Sequence, residues 1–239
     1  MDTVSPERLA HYLLKKVNKA CRTYGLLADG DSIAVAVSGG KDSNTLLDLL
    51  HRRRGVERCQ LVAVHVLLVS EECQATVDLA ALEHWLKELG VEYTFVPLEP
   101  ATGQPRRENQ SPCFHCAWQR RKALFLTAQR LGCNKVALGH NADDVAQTTL
   151  LNLVYHGRLE TMAARVDFFG GEITVIRPLY FVPEKEIVRY VQAGGVPILA
   201  GPCPVAARSR RAAMANVLRL LEQQNPRVKI ALLRAAEKK

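Results

Sequence analysis

Five short apolar runs constrain this chain more than any other feature. They are Ile33-Ala-Val-Ala-Val37, Leu61-Val-Ala-Val-His-Val66, Tyr93–Leu98, Lys135-Val-Ala-Leu138 and Ile173–Ile176. Each is too short for a buried helix, and the first two are continuous rather than alternating, as in strands covered on both faces of a parallel sheet. Helical stretches separate them. Leu9, Leu13, Val17 and Cys21 form one stripe over 6–25, closed by Gly25, and Leu79, Leu82, Leu86 and Leu89 do the same over 78–89, closed by Gly90. Further helices are predicted at 43–54, 113–131, 142–155, 183–192 and 205–224. Strands alternating with helices imply right-handed βαβ units and an open α/β sheet of five strands, mostly parallel, with helices on both faces. Residues 1–30 are expected to form an N-terminal helix, 31–200 the α/β domain, and 201–239 a small helical extension.

The 239 residues are enough to bury a substantial core, and 48% are hydrophobic, which excludes disorder. The formal charge of +8 suits an anionic partner, though a basic protein without one is an equal reading. Seven cysteines, an odd number with only Cys113 and Cys116 closely paired, do not make a disulfide framework. Thiols in a reducing compartment are expected instead. With no signal-like start and no apolar run of about 18 residues, the chain reads as cytoplasmic with no membrane partner.

The first apolar run enters Ser38-Gly-Gly-Lys-Asp-Ser43 directly, and a helix follows. Gly39 and Gly40 permit a tight turn and a close approach to a ligand. Amides exposed at the helix start then favour a phosphate or pyrophosphate. Ser38 and Ser43 offer hydroxyls and Lys41 a positive charge. Asp42 suits a phosphate site only if it organises Mg²⁺ or caps the turn. The hexapeptide is neither a Walker A loop nor a dinucleotide fingerprint.

Pro112-Cys-Phe-His-Cys116 opens another helix, so its two cysteines share the first turn, where the helix terminus favours thiolates. Cys203 stands in Gly201-Pro-Cys-Pro204, and the three thiols could converge on one metal. Three thiolates on a [4Fe–4S] cluster leave one iron open, whereas adding His115 makes a closed zinc site. The residues alone leave both open, with His115 more readily a surface residue of the helix. A second motif, Gly139-His-Asn-Ala-Asp-Asp-Val-Ala-Gln-Thr148, lies at the C-terminal end of a strand, where α/β sheets bind ligands. Asp143 and Asp144 either cap the next helix or, beside a nucleotide, hold Mg²⁺ or orient substrate. His140 is a candidate scaffold for the nucleotide.

SGGKDS after an apolar strand resembles the signature of the N-type ATP pyrophosphatases, enzymes of doubly wound α/β fold that cleave ATP between its α- and β-phosphates. That resemblance implies that Ser38–Ser43 holds the pyrophosphate. Together with PCFHC, KVALGHNADDVAQTTLLN, VIRPLYFVPEKEI and PCP, the chain resembles the TtcA-type tRNA 2-thiocytidine biosynthesis proteins along nearly its whole length, and the tRNA 2-thiouridine enzymes more loosely. The paired C-x-x-C zinc fingers of the latter are missing. The resemblance implies ATP, Mg²⁺ and a [4Fe–4S] cluster on Cys113, Cys116 and Cys203, with zinc as the alternative. It also implies a tRNA substrate and a homodimer. Lys41, Asp42, Asp143 and Asp144 are the expected catalytic residues, and the reaction needs a sulfur donor, a cysteine desulfurase or free sulfide. Arg120, Arg121, Arg208 and Arg210 flank the cysteines and are expected to hold RNA phosphates. Trp118 reads as core, with base stacking as its other use. Rival readings are an ATP pyrophosphatase that inserts nitrogen and a zinc-stabilised RNA-binding protein without catalysis.

Overall fold

The computed structural model describes residues 4–67, 77–98, 112–201 and 209–237. Helix α1 (Pro6–Tyr24) precedes strand β1 (Ser32–Ala36), helix α2 (Lys41–Arg53), β2 (Gln60–Leu67), α3 (Leu79–Leu89) and β3 (Glu92–Pro97). Then come α4 (Pro112–Arg130), β4 (Lys135–Ala137), α5 (Ala142–His156), β5 (Arg165–Phe168), β6 (Ile173–Ile176) and α6 (Glu184–Gln192). Helices α7 (Arg210–Gln224) and α8 (Val228–Glu237) follow.

The sheet order is β3-β2-β1-β4-β6-β5, and every pairing is parallel except the last, β6 with β5. The chain therefore winds outward from β1 in one direction, then returns to β4 and winds in the other. This reversal leaves a crevice between β1 and β4 at their C-terminal ends. Side chains of β1 alternate between two cores. Ile33, Val35 and Val37 pack with α1, α2, α3 and α6, whereas Ala34 and Ala36 pack with Leu124, Phe125 and Ala128 of α4. Both faces are dry, which is why the run is apolar without a break. A smaller cluster joins Ala146 and Leu150 of α5 to Met214 and Leu218 of α7.

A buried ion pair fixes β1 against β4 at the end remote from the crevice. Lys135 Nζ donates to Asp31 Oδ2 at 2.5 Å and to the Leu26 carbonyl at 2.9 Å. Asn134 adds a hydrogen bond to Asp31 Oδ1 and accepts one from the Ser32 amide, both at 2.9 Å. Burial raises the Asp31 carboxyl, but the hydrogen bonds from Lys135, the Ala28 amide and Asn134, with the Lys135 charge, outweigh it and hold it below its ordinary range.

The α/β class holds, but the sheet has a sixth strand. Arg165-Val-Asp-Phe168 is a short antiparallel edge whose burial alternates, so it carries no continuous apolar run. The helix expected over 205–224 starts at Arg210 behind the cap Ser209, which accepts from the Ala212 amide at 3.2 Å; part of the expected span lies outside the described residues. Among the described residues no helix is long and apolar enough to cross a membrane.

Removing one partner of a buried pair strands the other's charge. Lys135→Met should therefore lower stability by about 3 kcal/mol or more in urea denaturation; a loss below about 1 kcal/mol would show that the pair does not hold β1 to β4.

Candidate nucleotide site and its neighbours

The loop after β1 is tied by its own serines. Ser43 Oγ accepts from the Ser38 amide and donates to the Gly40 carbonyl, each at 3.0 Å, and lies 3.1 Å from Ser38 Oγ. Gly39 turns with φ +80°, a conformation that a side chain would strain. Its carbonyl accepts from the amides of Leu199 at 2.8 Å and Ala200 at 3.1 Å. Asn44, fully buried, donates to the Pro197 carbonyl at 2.9 Å. The loop is thus locked to the segment before residue 201. Among the described residues no side chain caps the N-terminus of α2, whereas Ser5, Asp78, Asn141 and Ser209 cap α1, α3, α5 and α7. The first amides of α2 are left for an anion.

The motif after β4 sits directly against this loop. Asn141 caps α5 by accepting from the Asp143 and Asp144 amides at 2.9 and 3.2 Å, and its Nδ2 donates to Asp42 Oδ1 at 2.9 Å. One side chain therefore binds the starts of α2 and α5 together. Asp144 completes the capping box by accepting from the Asn141 amide at 3.1 Å. Asp143 is engaged at both oxygens: Oδ2 accepts from the Glu184 amide at 2.8 Å, and Oδ1 pairs with Lys229 of α8 at 2.6 Å. Asp143 thereby caps α6 from a distance.

Lys41 Nζ lies 2.7 Å from Asp42 and 2.8 Å from Glu184. Burial works against its charge, but the two carboxylates outweigh it and hold the amine above its ordinary value. Burial raises the Asp144 carboxyl, opposed by the Asn141 amide and by Arg211, whose nearest nitrogen is 3.9 Å away. His140 is pushed down to about 3 by burial and by the charges of Arg177, Arg211 and Arg121, so it is neutral at physiological pH. Burial also holds His65 low, against its 2.7 Å hydrogen bond to the Val37 carbonyl and with the Arg120 charge adding to the depression.

A cleft of about 350 Å³ opens over these groups, within the range of small-molecule sites. Val64, Val66 and Leu124 give it an apolar wall, and Ser38, Asp42 and Ser43 a polar end. Arg120, Arg121 and His140 also line it. The arrangement suits a flat ring against the wall with phosphates over the loop. Ser38, Gly39, Gly40, Lys41, Asp42, Ser43 and His140 are thus brought together.

The other expected residues divide. Cys113 and Cys116 occupy the first turn of α4, one turn before Ala117 and Arg120 at the cleft. Cys203 and Arg208 lie outside the described residues. Among the described residues no three His, Cys, Asp or Glu side chains are grouped to hold a metal. His115 Nε2 is 2.6 Å from the Gln119 amide nitrogen and so is already engaged on its own helix. Arg210 stacks its guanidinium 4.8 Å from the Tyr155 ring centre. Trp118 is not core: it is 42% exposed, because the buried face of α4 begins only at Leu124.

A profile of the PP-loop domain matches residues 9–218. The chain belongs to the PP-loop family. It is 41% identical over 225 residues to the tRNA-cytidine(32) 2-sulfurtransferase of Geobacter sulfurreducens, covering 92% of this chain and 86% of the relative. Among solved structures it is similar to the U34-tRNA thiolase NcsA from Methanococcus maripaludis with its [4Fe-4S] cluster, at TM-score 0.78 and 26% identity over 98% of this chain and 79% of the other. NAD+ synthetase from Burkholderia pseudomallei shares the fold alone, at TM-score 0.52 and 17% identity, covering 98% of this chain and 88% of that one.

Asn141, Glu184, Arg177 and Arg211 take places in this PP-loop site that sequence reasoning did not assign. All four lie in or beside stretches that the family resemblance marked, but only contacts between distant elements reveal what they do. The histidine of the second motif allows a test. Between its ordinary value of 6.5 and about 3, the unfolded chain binds a proton at position 140 that the folded protein excludes. Stability therefore falls as pH is lowered through that window. His140→Gln should flatten the acid-side decline by up to about 1.4 kcal/mol per pH unit in urea titrations across the window; an unchanged decline would mean that the ring is not held neutral.

Proposed function

We propose that this protein is an ATP-dependent tRNA sulfurtransferase that exchanges the C2 oxygen of a cytidine for sulfur, the target being cytidine 32 as in the name of its relative. One observation carries the reading. The uncapped start of α2 opens into the same cleft that receives Arg120 and Arg121 from α4, the helix whose first turn holds Cys113 and Cys116.

The β- and γ-phosphates lie over the amides at the start of α2, with the Ser38 and Ser43 hydroxyls donating to them. Lys41 turns from Glu184 toward the phosphates. Asp42 and the half-buried Asp144 would hold Mg²⁺, since Asp144 Oδ1 is only distantly paired with Arg211, and the ion would offset the charge of the phosphates. The C2 oxygen attacks the α-phosphorus and pyrophosphate leaves. A sulfur nucleophile then adds at C2, and AMP departs with the former C2 oxygen. Neutral His140 accepts or donates one hydrogen bond without adding charge.

Cys113 and Cys116 would hold a [4Fe–4S] cluster with Cys203. The donor set fits, since two cysteines three residues apart occupy the first turn of α4, and His115 is engaged by Gln119 rather than free to close a zinc site. When bound, such a cluster supplies an iron with a position left for an external sulfur ligand. Arg120, Arg121, Arg208 and Arg210 contact tRNA phosphates, and exposed Trp118 offers a stacking face for an unstacked base. The sulfur donor is a cysteine desulfurase or free sulfide, in the reducing cytoplasm.

Lys41→Ala should reduce AMP formation with tRNA by about a hundredfold or more while the metal content is kept; normal turnover would remove the loop from the reaction. Cys116→Ser should bind ATP as before yet yield no 2-thiocytidine. Mass spectrometry of tRNA nucleosides from cells lacking the protein should show 2-thiocytidine missing and other thiolated bases intact; its persistence would refute the assignment.

A further inference from the structure

His140 shares the cleft with Arg121 and also feels the charges of Arg177 and Arg211, so arginines from three different elements act on it. Arg177 follows β6, Arg121 lies on α4, and Arg211 is in the first turn of α7. The hydrogen bond from the Leu138 amide to the Ile176 carbonyl, 3.0 Å, brings the end of β4 beside the end of β6. Arg177 is anchored from behind. Its amide donates to the Ala164 carbonyl at 2.9 Å and its Nη1 to the Ala163 carbonyl at 2.5 Å. Its Nε is buried and, among the described residues, has no hydrogen-bond partner; the same holds for Nδ1 of His140. Burial, with the Arg121 charge, lowers Arg177 to about 10, against a smaller opposing effect of Tyr180.

Acidic groups nearby do not balance this charge. Asp144 stands 3.9 Å from Arg211, beyond hydrogen-bond reach, and its other oxygen accepts from the Asn141 amide. Asp42 is held by Lys41 and Asn141. Arg177 alone of the three is desolvated, and a buried guanidinium beside other positive charges is stabilised when an anion joins it, its planar fork matching phosphate oxygens.

We propose that Arg177, with Arg121 and Arg211 around the ring of His140, forms a second anion site at the β4–β6 end of the cleft that takes a phosphate group. It is separate from the amide site at the start of α2. The inference rests on the sulfurtransferase reading in one respect: that reading supplies the two phosphate-bearing substrates, ATP and the tRNA backbone, either of which could fill the site.

The test uses the full chain with Arg177→Lys, which keeps the charge and loses the fork, and Arg211→Gln, which leaves the core untouched. ATP binding is measured by calorimetry without RNA, and binding of an unmodified tRNA transcript by anisotropy over a series of salt concentrations. Thermal melts confirm folding. If the phosphate belongs to tRNA, both variants lose about tenfold in tRNA affinity. Arg211→Gln then also lowers the slope of log affinity against log salt by about one, with ATP binding unchanged. If it belongs to ATP, the tenfold loss appears with ATP and the salt slope stays. Folded variants that bind both ligands like the parent overturn the proposal. Thiolation by the unaltered protein is scored separately: a parent that binds both ligands but never thiolates refutes the sulfurtransferase reading and leaves the anion site standing.

Discussion

The turn at Gly139 presses against the peptide between Asp42 and Ser43. A Cβ there would come within 3.1 Å of both the Asp42 carbonyl carbon and the Ser43 nitrogen. Any side chain would push the start of α5 away from the start of α2. Bare backbone lets the two helix termini lie side by side, and Asn141 then spans them through Asp42. Every other feature of the site depends on this proximity. The termini add their partial positive charges over one crevice, and the loop and the acidic motif face the same ligand.

Around that contact the protein keeps polar groups incompletely paired. Among the described residues the start of α2 has no side-chain cap and His140 and Arg177 have buried nitrogens without partners, while burial raises the Asp144 carboxyl. Such groups weaken a fold unless something offsets them. Here the offset lies elsewhere in the sheet: the Asp31–Lys135 pair, the Asn134 bridge and the two dry cores fix β1 and β4 firmly. Rigid strands can then present unsatisfied donors to a ligand at their opposite ends.

Charge also links the site to the last two helices. Lys41 pairs with Glu184, the Glu184 amide with Asp143, and Asp143 with Lys229, which also pairs with Glu222 of α7 at 2.8 Å. A single line of contacts thus runs from the phosphate loop to the helices that carry Arg210 and Arg211. Moving Lys41 onto a phosphate would release Glu184 at the other end of its ion pair, next to the cap of α6.

The sequence by itself determined the layered α/β class, the loop, the second motif and the cysteine pair. Each of these is written locally, in unbroken apolar runs, glycine spacing and residues a turn apart. It missed β5 because a short edge strand only half-buried on one face, Arg165-Val-Asp-Phe168, carries too weak a pattern to separate from a loop. It misjudged Trp118 because periodicity shows which face of a helix is apolar, and not where the sheet beneath it stops. Only the tertiary structure decided that Asn141 joins two helices, that Asp143 caps α6, and that the charges of Arg177, Arg121 and Arg211 act together on His140. Those pairings span 19 to 99 residues of chain, and their energies depend on distance and burial, which follow from packing and not from neighbours in the sequence.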